Sequence, residues 1–107
     1  MKLWVDDVRT PPDASWVWVN HPDIAIWMLD NHYIHEMSLD HDLGIDVSGN
    51  VGDDLTTRPV VLHMCETGRW PKRVRVHSQN PIGRTWLEGM IDRYQDKGPQ
   101  YDDDQGT

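Results

Sequence analysis

Phenylalanine is absent from this 107-residue chain, and cysteine occurs once. A single Cys65 excludes an internal disulfide, and its place in an apolar run marks it as a buried structural thiol that suits a reducing cytosol. Long hydrophobic runs are missing too. No N-terminal stretch resembles a signal peptide, and no segment approaches the ~20 apolar residues needed to cross a bilayer, so a cytoplasmic protein without membrane contact is expected. Basic residues are scarce: ten Lys and Arg stand against 18 Asp and Glu, a formal net charge of -8. That balance argues against an extended nucleic-acid surface, because phosphate contacts draw on an excess of cations. An anionic ligand would have to be held locally, by a metal ion, backbone amides or a few arginines. In place of phenylalanine there are six tryptophans, so indoles supply most of the aromatic bulk. The length suits one domain, placed here at residues 1–95, with an acidic tail at 96–107 expected to be disordered because it holds only Gly, Pro, Gln, Asp and similar polar residues apart from Tyr101.

Four short stretches have strand patterning. Lys2 to Val5 places Leu3 and Val5 on one face, Trp16 to Val19 follows a rigid Thr10-Pro11-Pro12-Asp13 loop, Met37 to Leu39 is apolar, and Arg73 to Val76 alternates with period two. Three helices separate or follow them. The first runs from about His21 to Asn31, with Pro22 in its first turn and Asn20 or His21 as cap. The second begins near Pro59 with Thr56 or Thr57 as cap and stops before Gly68. The third starts at Asn80-Pro81 and runs to about Tyr94. Gly44 to Gly52 has no clean periodicity and reads as a loop beside the site, a possible lid, while Asp53 and Asp54 read as solvated residues. His21, His32, His35 and His63 have no motif around them.

Strand, strand, helix, strand, helix, strand, helix implies a parallel sheet. Three polar clusters then stand immediately after strands: Asp6-Asp7, Asp40-His41-Asp42 and His77-Ser78. In a parallel sheet they emerge at one edge, where open α/β sheets build their sites. Strand alternation also sorts the remaining side chains. Leu3, Val5, Val17, Val19, Met37, Leu39, Val74 and Val76 share one face, a helix-covered core. Lys2, Trp4, Trp16, Trp18, Ser38, Arg73 and Arg75 share the other. Such a tryptophan patch is too large to leave bare, so the terminal helix or a second subunit is expected to cover it, with a homodimer through Trp4, Trp16 and Trp18 preferred.

Three strings carry a family resemblance: Asp6-Asp7-Val8-Arg9-Thr10-Pro11, Leu39-Asp40-His41-Asp42-Leu43-Gly44, and His77-Ser78-Gln79-Asn80-Pro81-Ile82-Gly83. Together they resemble the cyclic-phosphate processing receiver-like domains, a divergent branch of the response-regulator receiver fold. The resemblance implies a truncated receiver-like (flavodoxin-like) α/β fold of two or three layers with about four parallel strands. The receiver's first helix and its fifth strand with the lysine have no counterpart. It implies an acidic pair at Asp6-Asp7, the phosphoacceptor position at Asp40 and the hydroxyl position at Ser78, with His41 and His77 added. The implied activity concerns cyclic phosphate in small nucleotides or at RNA termini.

The residues themselves suggest how. Asp6 or Asp7 with Asp40, and Asp42 as a further candidate, offer hard oxygen ligands for a divalent cation, Mg2+ first and Mn2+ second. His77, His41 and Asp40 are the catalytic candidates, with His77 preferred over His41 as proton carrier because imidazole titrates near ~6.5. Asp40 either attacks phosphorus or only holds the metal while water attacks. Ser78, Asn80, Gly83, Arg9 and Arg84 are candidates for binding phosphate, through a hydroxyl, the first amides of the last helix, a close approach at glycine and a charge clamp. If the backbone stays extended, Asp40 and Asp42 point one way and His41 the other. The alternative to a metal-dependent phosphoesterase is a module that binds a nucleotide or docks a protein without turnover.

Overall fold

A computed structural model of the chain describes residues 1–43 and 55–95. The proposed lid at Gly44 to Gly52, the Asp53-Asp54 pair and the tail at 96–107 lie outside the described residues. Four strands form one parallel sheet: β1 (Lys2–Val5), β2 (Trp16–Val19), β3 (Glu36–Leu39) and β4 (Arg73–Val76), in the order β2-β1-β3-β4. Three helices, α1 (Pro22–Asn31), α2 (Arg58–Thr67) and α3 (Pro81–Gln95), complete a receiver-like α/β fold. None of the described helices is long and apolar enough to cross a membrane.

Local chemistry accounts for the helix ends. Pro22 opens α1, where its missing N–H is no loss, and the His21 ring accepts the Asp23 amide at 3.1 Å. Helix α2 has Pro59 in its first turn and follows Thr57, whose hydroxyl bonds the Asp40 carbonyl instead of capping the helix. It ends at Gly68, where φ of 72° is the left-handed conformation that glycine adopts without a Cβ penalty.

The β1–β2 connection shows how parallel neighbours join without a crossover helix. The indole N–H of Trp4 donates to the Arg9 carbonyl at 2.8 Å and that of Trp18 to the Asp6 carbonyl at 2.7 Å, while the Asp6 amide donates to Val19. These bonds satisfy backbone groups that a helix would otherwise have paired.

All three helices lie over the same sheet face. Leu3, Val5, Val19, Met37 and Leu39 from the sheet share one core with Ala25 and Leu29 of α1, Val60, Val61 and Met64 of α2, and Leu87 and Ile91 of α3. Crossovers that run the same way along a sheet deliver their helices to one face, and both helical crossovers here run from β2 towards β4. The described residues therefore make a two-layer fold.

Two expectations change. The terminal helix does not cover the tryptophan face, because Leu87 and Ile91 belong to the core on the other side. Val17, expected in that core, is 37% exposed, since β2 is an edge strand with a neighbour on one side only. Cys65 is half-buried against the core, and that burial raises its thiol pKa, as an inert structural thiol requires.

Depth of burial should set mutational cost. Leu87→Ala, at a fully buried site, is expected to lower unfolding free energy by about 2–5 kcal/mol, whereas Val17→Ala should cost under about 1 kcal/mol. Urea denaturation of the two variants checks this ranking.

Candidate functional site

In the strand order β2-β1-β3-β4 the connection leaving β1 and the connection leaving β3 run to opposite sides of the sheet. The carboxyl ends of two strands whose connections part in this way leave a crevice in which open α/β sheets bind ligands. Asp6 and Asp7 follow β1, and Asp40 follows β3. Each contributes a carboxylate oxygen to a group whose members all lie within 4.8 Å of one another.

Asp6 is 1% exposed and its carboxylate is fully engaged. Its Oδ1 accepts the amides of Val8 at 2.9 Å and Arg9 at 3.1 Å, and its Oδ2 pairs with Nε2 of His77 at 2.8 Å. Burial works to raise its pKa, but these amides and the imidazole more than offset it and hold the carboxyl below its ordinary range. Asp7 and Asp40 go the other way. Burial, reinforced by the neighbouring carboxylates, raises both, although Asp40 accepts the His41 amide at 2.8 Å and a hydrogen bond from the Ser78 hydroxyl. Three carboxylates of which two resist ionisation suit a hard cation that would relieve their repulsion.

His77 extends this cluster onto the open sheet face. Alternation along β4 aims it away from the core, where its Nδ1 meets the Ser38 hydroxyl at 2.7 Å and its ring stacks on Trp4 at a centroid distance of 4.0 Å. Arg9 donates from Nη1 to the His77 carbonyl at 2.8 Å, which ties the β1–β2 loop to the end of β4.

The second histidine belongs to a different assembly. His41 is 5% exposed. Arg58 Nε donates to its Nε2 at 2.9 Å, so Nδ1 carries the proton and donates to Asp42 at 2.9 Å. Asp42 also accepts the Asn80 amide at 3.0 Å, and Arg58 lies over the Trp86 ring at 4.6 Å. These contacts lock the end of β3 to the start of α2 and α3.

The expected division within Asp40-His41-Asp42 is thereby corrected. Strand pairing stops at Leu39, so side chains no longer alternate: Asp40 joins Asp6 and Asp7, while His41 and Asp42 bond each other. Asp42 stands outside the group formed by Asp6, Asp7 and Asp40; its oxygens bond His41 and Asn80, and those bonds hold its pKa down against the effect of burial.

The first turn of α3 also differs from expectation. Asn80 caps the helix, its Oδ1 accepting the Ile82 and Gly83 amides at 3.1 Å each, and its carbonyl takes the Arg84 amide. Those amides are thus occupied, not free for phosphate. Gly83 is needed because the His41 ring fills its side-chain space: a Cβ there would lie 2.3 Å from His41 Cγ. Arg84 pairs with Glu88 on the helix surface. Of the phosphate-binding candidates, Ser78 and Arg9 adjoin the acidic trio, and Asn80, Gly83 and Arg84 do not enter it. Three contributors escaped the sequence reading: Ser38, Thr57 and Arg58. Ser38 left a trace as a lone hydroxyl between Met37 and Leu39, two residues before Asp40, and Thr57 read only as a helix cap.

A parallel α/β domain with an acidic trio at its topological switch point is a receiver-type molecule. The sequence matches the Cyclic-phosphate processing Receiver domain over residues 1–93, and the chain belongs to that family. No curated protein and no solved structure matches it.

Two predictions follow from the site's geometry and charge. Gly83→Ala should force the His41 ring or α3 to shift and cost about 1–3 kcal/mol, read by urea denaturation. Asp7 has a folded pKa above its unfolded value, so its charge opposes folding at neutral pH, and this penalty fades as pH falls through the folded pKa. Asp6 has the opposite sign: its contribution is complete above the unfolded value near ~3.9 and is lost as pH falls through the lower folded pKa. In EDTA at pH 7, Asp7→Asn should raise the melting temperature by a few degrees, with the gain shrinking towards acid. Asp6→Asn should lower it.

Proposed function

We propose that this domain is a divalent-cation-dependent phosphoesterase that opens cyclic phosphate in a nucleotide or at an RNA end. The observation that carries this reading is the clustering of Asp6, Asp7 and Asp40 at the switch point of a chain in the cyclic-phosphate processing family. Mg2+, or Mn2+ in its place, held by these three carboxylates would supply Lewis-acid activation and offset their repulsion of phosphate.

The chain's own groups divide the remaining work. Asp40, steadied by the His41 amide and Ser78, would hold the cation in this reading, with water as the nucleophile. Water oxygen bonds to phosphorus as one of its protons is taken up by a base, one ring P–O bond breaks, and that proton is returned to the departing oxygen. His77 is the proton carrier of this reading. Its ring bonds Asp6, a member of the trio, whereas the His41 ring bonds Asp42 and Arg58, which lie outside it. Ser38 and Asp6 keep the His77 ring in place, and Trp4 shields one of its faces. In this reading Ser78 supplies a hydrogen bond and Arg9 a positive charge to the phosphate oxygens.

Incubation with 2',3'-cyclic mononucleotides and cyclic dinucleotides, with Mg2+, Mn2+ or EDTA, tests this. Hydrolysis should require the cation, and Asp40→Ala and His77→Ala should each lower kcat by about 100-fold or more. Activity that survives both substitutions would sink the assignment, and tight binding without turnover would make the domain a binding module. At a concentration about 100 times its Kd, Mg2+ should stabilise the protein by about 2.7 kcal/mol, an effect that Asp40→Ala should abolish in thermal melts.

A further inference from the structure

Beside the acidic trio, on the β2 side, lies a cleft of about 370 Å3 lined by Asp7, Trp18, Val19, Asn20 and Ile24. Asp7 belongs to both features, so a ligand in the cleft abuts the three carboxylates. Trp18 is 45% exposed, although its N–H is satisfied by the Asp6 carbonyl at 2.7 Å. That bond ties the indole to the backbone of a trio residue, so a flat aromatic surface is held at a set position relative to the carboxylates. Ile24, on α1, is 46% exposed and adds a second apolar wall. Asn20 is exposed, and its side-chain amide makes no hydrogen bond among the described residues, leaving a donor and an acceptor for the edge of a heterocycle.

We infer that this cleft is a nucleobase subsite, with the base stacked on Trp18 and its edge met by Asn20, while the cyclic phosphate lies at Asp6, Asp7 and Asp40. The inference rests on the reading of the trio as the phosphate site. An aromatic plane, an apolar wall and one amide beside a phosphate-type centre are the elements that hold a base by stacking and read its edge. The chain's net negative charge does not oppose this, since stacking on a neutral indole needs no excess of cations. The volume falls at the low end for small-molecule sites, about 300–1,000 Å3, which favours one base over a longer strand.

The test measures binding and turnover separately. With Mg2+ present, 2',3'-cyclic AMP and the base-free ethylene glycol cyclic phosphate are titrated calorimetrically and assayed for hydrolysis. Wild-type protein is compared with Trp18→Ala, Trp18→Phe and Ile24→Glu. Trp18→Ala should weaken binding of the nucleotide roughly 5- to 150-fold, the range for loss of one base–aromatic stack, and should lower kcat/KM for the nucleotide far more than for the base-free ester. Trp18→Phe should retain most of the affinity. Ile24→Glu, a change at an exposed position that takes no part in the Trp18 hydrogen bond, should also discriminate against the nucleotide, which guards against misfolding of the alanine variant. Equal losses on both esters, or none on either, would overturn the subsite and leave the phosphoesterase reading standing. Nucleotide binding that depends on Trp18 without turnover would uphold the subsite and refute the phosphoesterase. No binding of the nucleotide by wild-type protein would overturn both.

Discussion

The β1–β2 loop, the end of β4 and the acidic trio all depend on how the Asp6 carboxylate is held. With 1% of its surface exposed, an ionised carboxyl there would be costly unless its oxygens were paired. Two amides of the following loop take one oxygen and His77 takes the other. The same residue's carbonyl receives the Trp18 indole. One side chain thus closes the β1–β2 loop, orients the end of β4 and sets one member of the acidic trio. Its backbone carbonyl positions the aromatic wall of the neighbouring cleft.

Placing Asp7 and Asp40 against Asp6 has a cost, visible in the upward pKa displacement of both. Nothing in the core calls for that arrangement: Leu3, Val5, Met37 and Leu39 would pack equally well with neutral residues at the strand ends. A cluster that works against stability and is held in place by hydrogen bonds fits the cation site proposed above. The second polar assembly, His41 with Asp42, Arg58, Asn80 and Gly83, carries no such mutual repulsion. Its donors and acceptors satisfy one another, and its work is to anchor α2 and α3 beside the site.

Much of this was legible in the chain itself. Period-two alternation located the strands, prolines and glycine located the helix ends, and the parallel order of elements brought Asp6, Asp7, Asp40 and His77 to one edge. The side-chain directions within Asp40-His41-Asp42 were not legible, because they depend on where strand pairing stops, a property of the neighbouring strand. The occupied amides at Asn80 and the packing of His41 on Gly83 were hidden for a similar reason. A helix start followed by glycine reads alike whether it receives phosphate or a neighbouring ring. Arg58 reads as an ordinary surface residue until α2 is set against β3.

What the sequence by itself determined is the element order, the parallel sheet and the set of polar residues that leave its strand ends, since each follows from local pattern and connection length. Tertiary structure decided which of those residues face one another. It placed Asp40 with Asp6 and Asp7, and it buried the His41 ring and paired it with the exposed Asp42. It also set α3 over the same face as α1 and α2, which leaves the tryptophan face without a helix among the described residues. The physical reason is range. Propensity and periodicity act over a few neighbours, whereas hydrogen bonds such as that between His77 and Asp6 join groups 71 positions apart, and such pairs exist only once the core has closed.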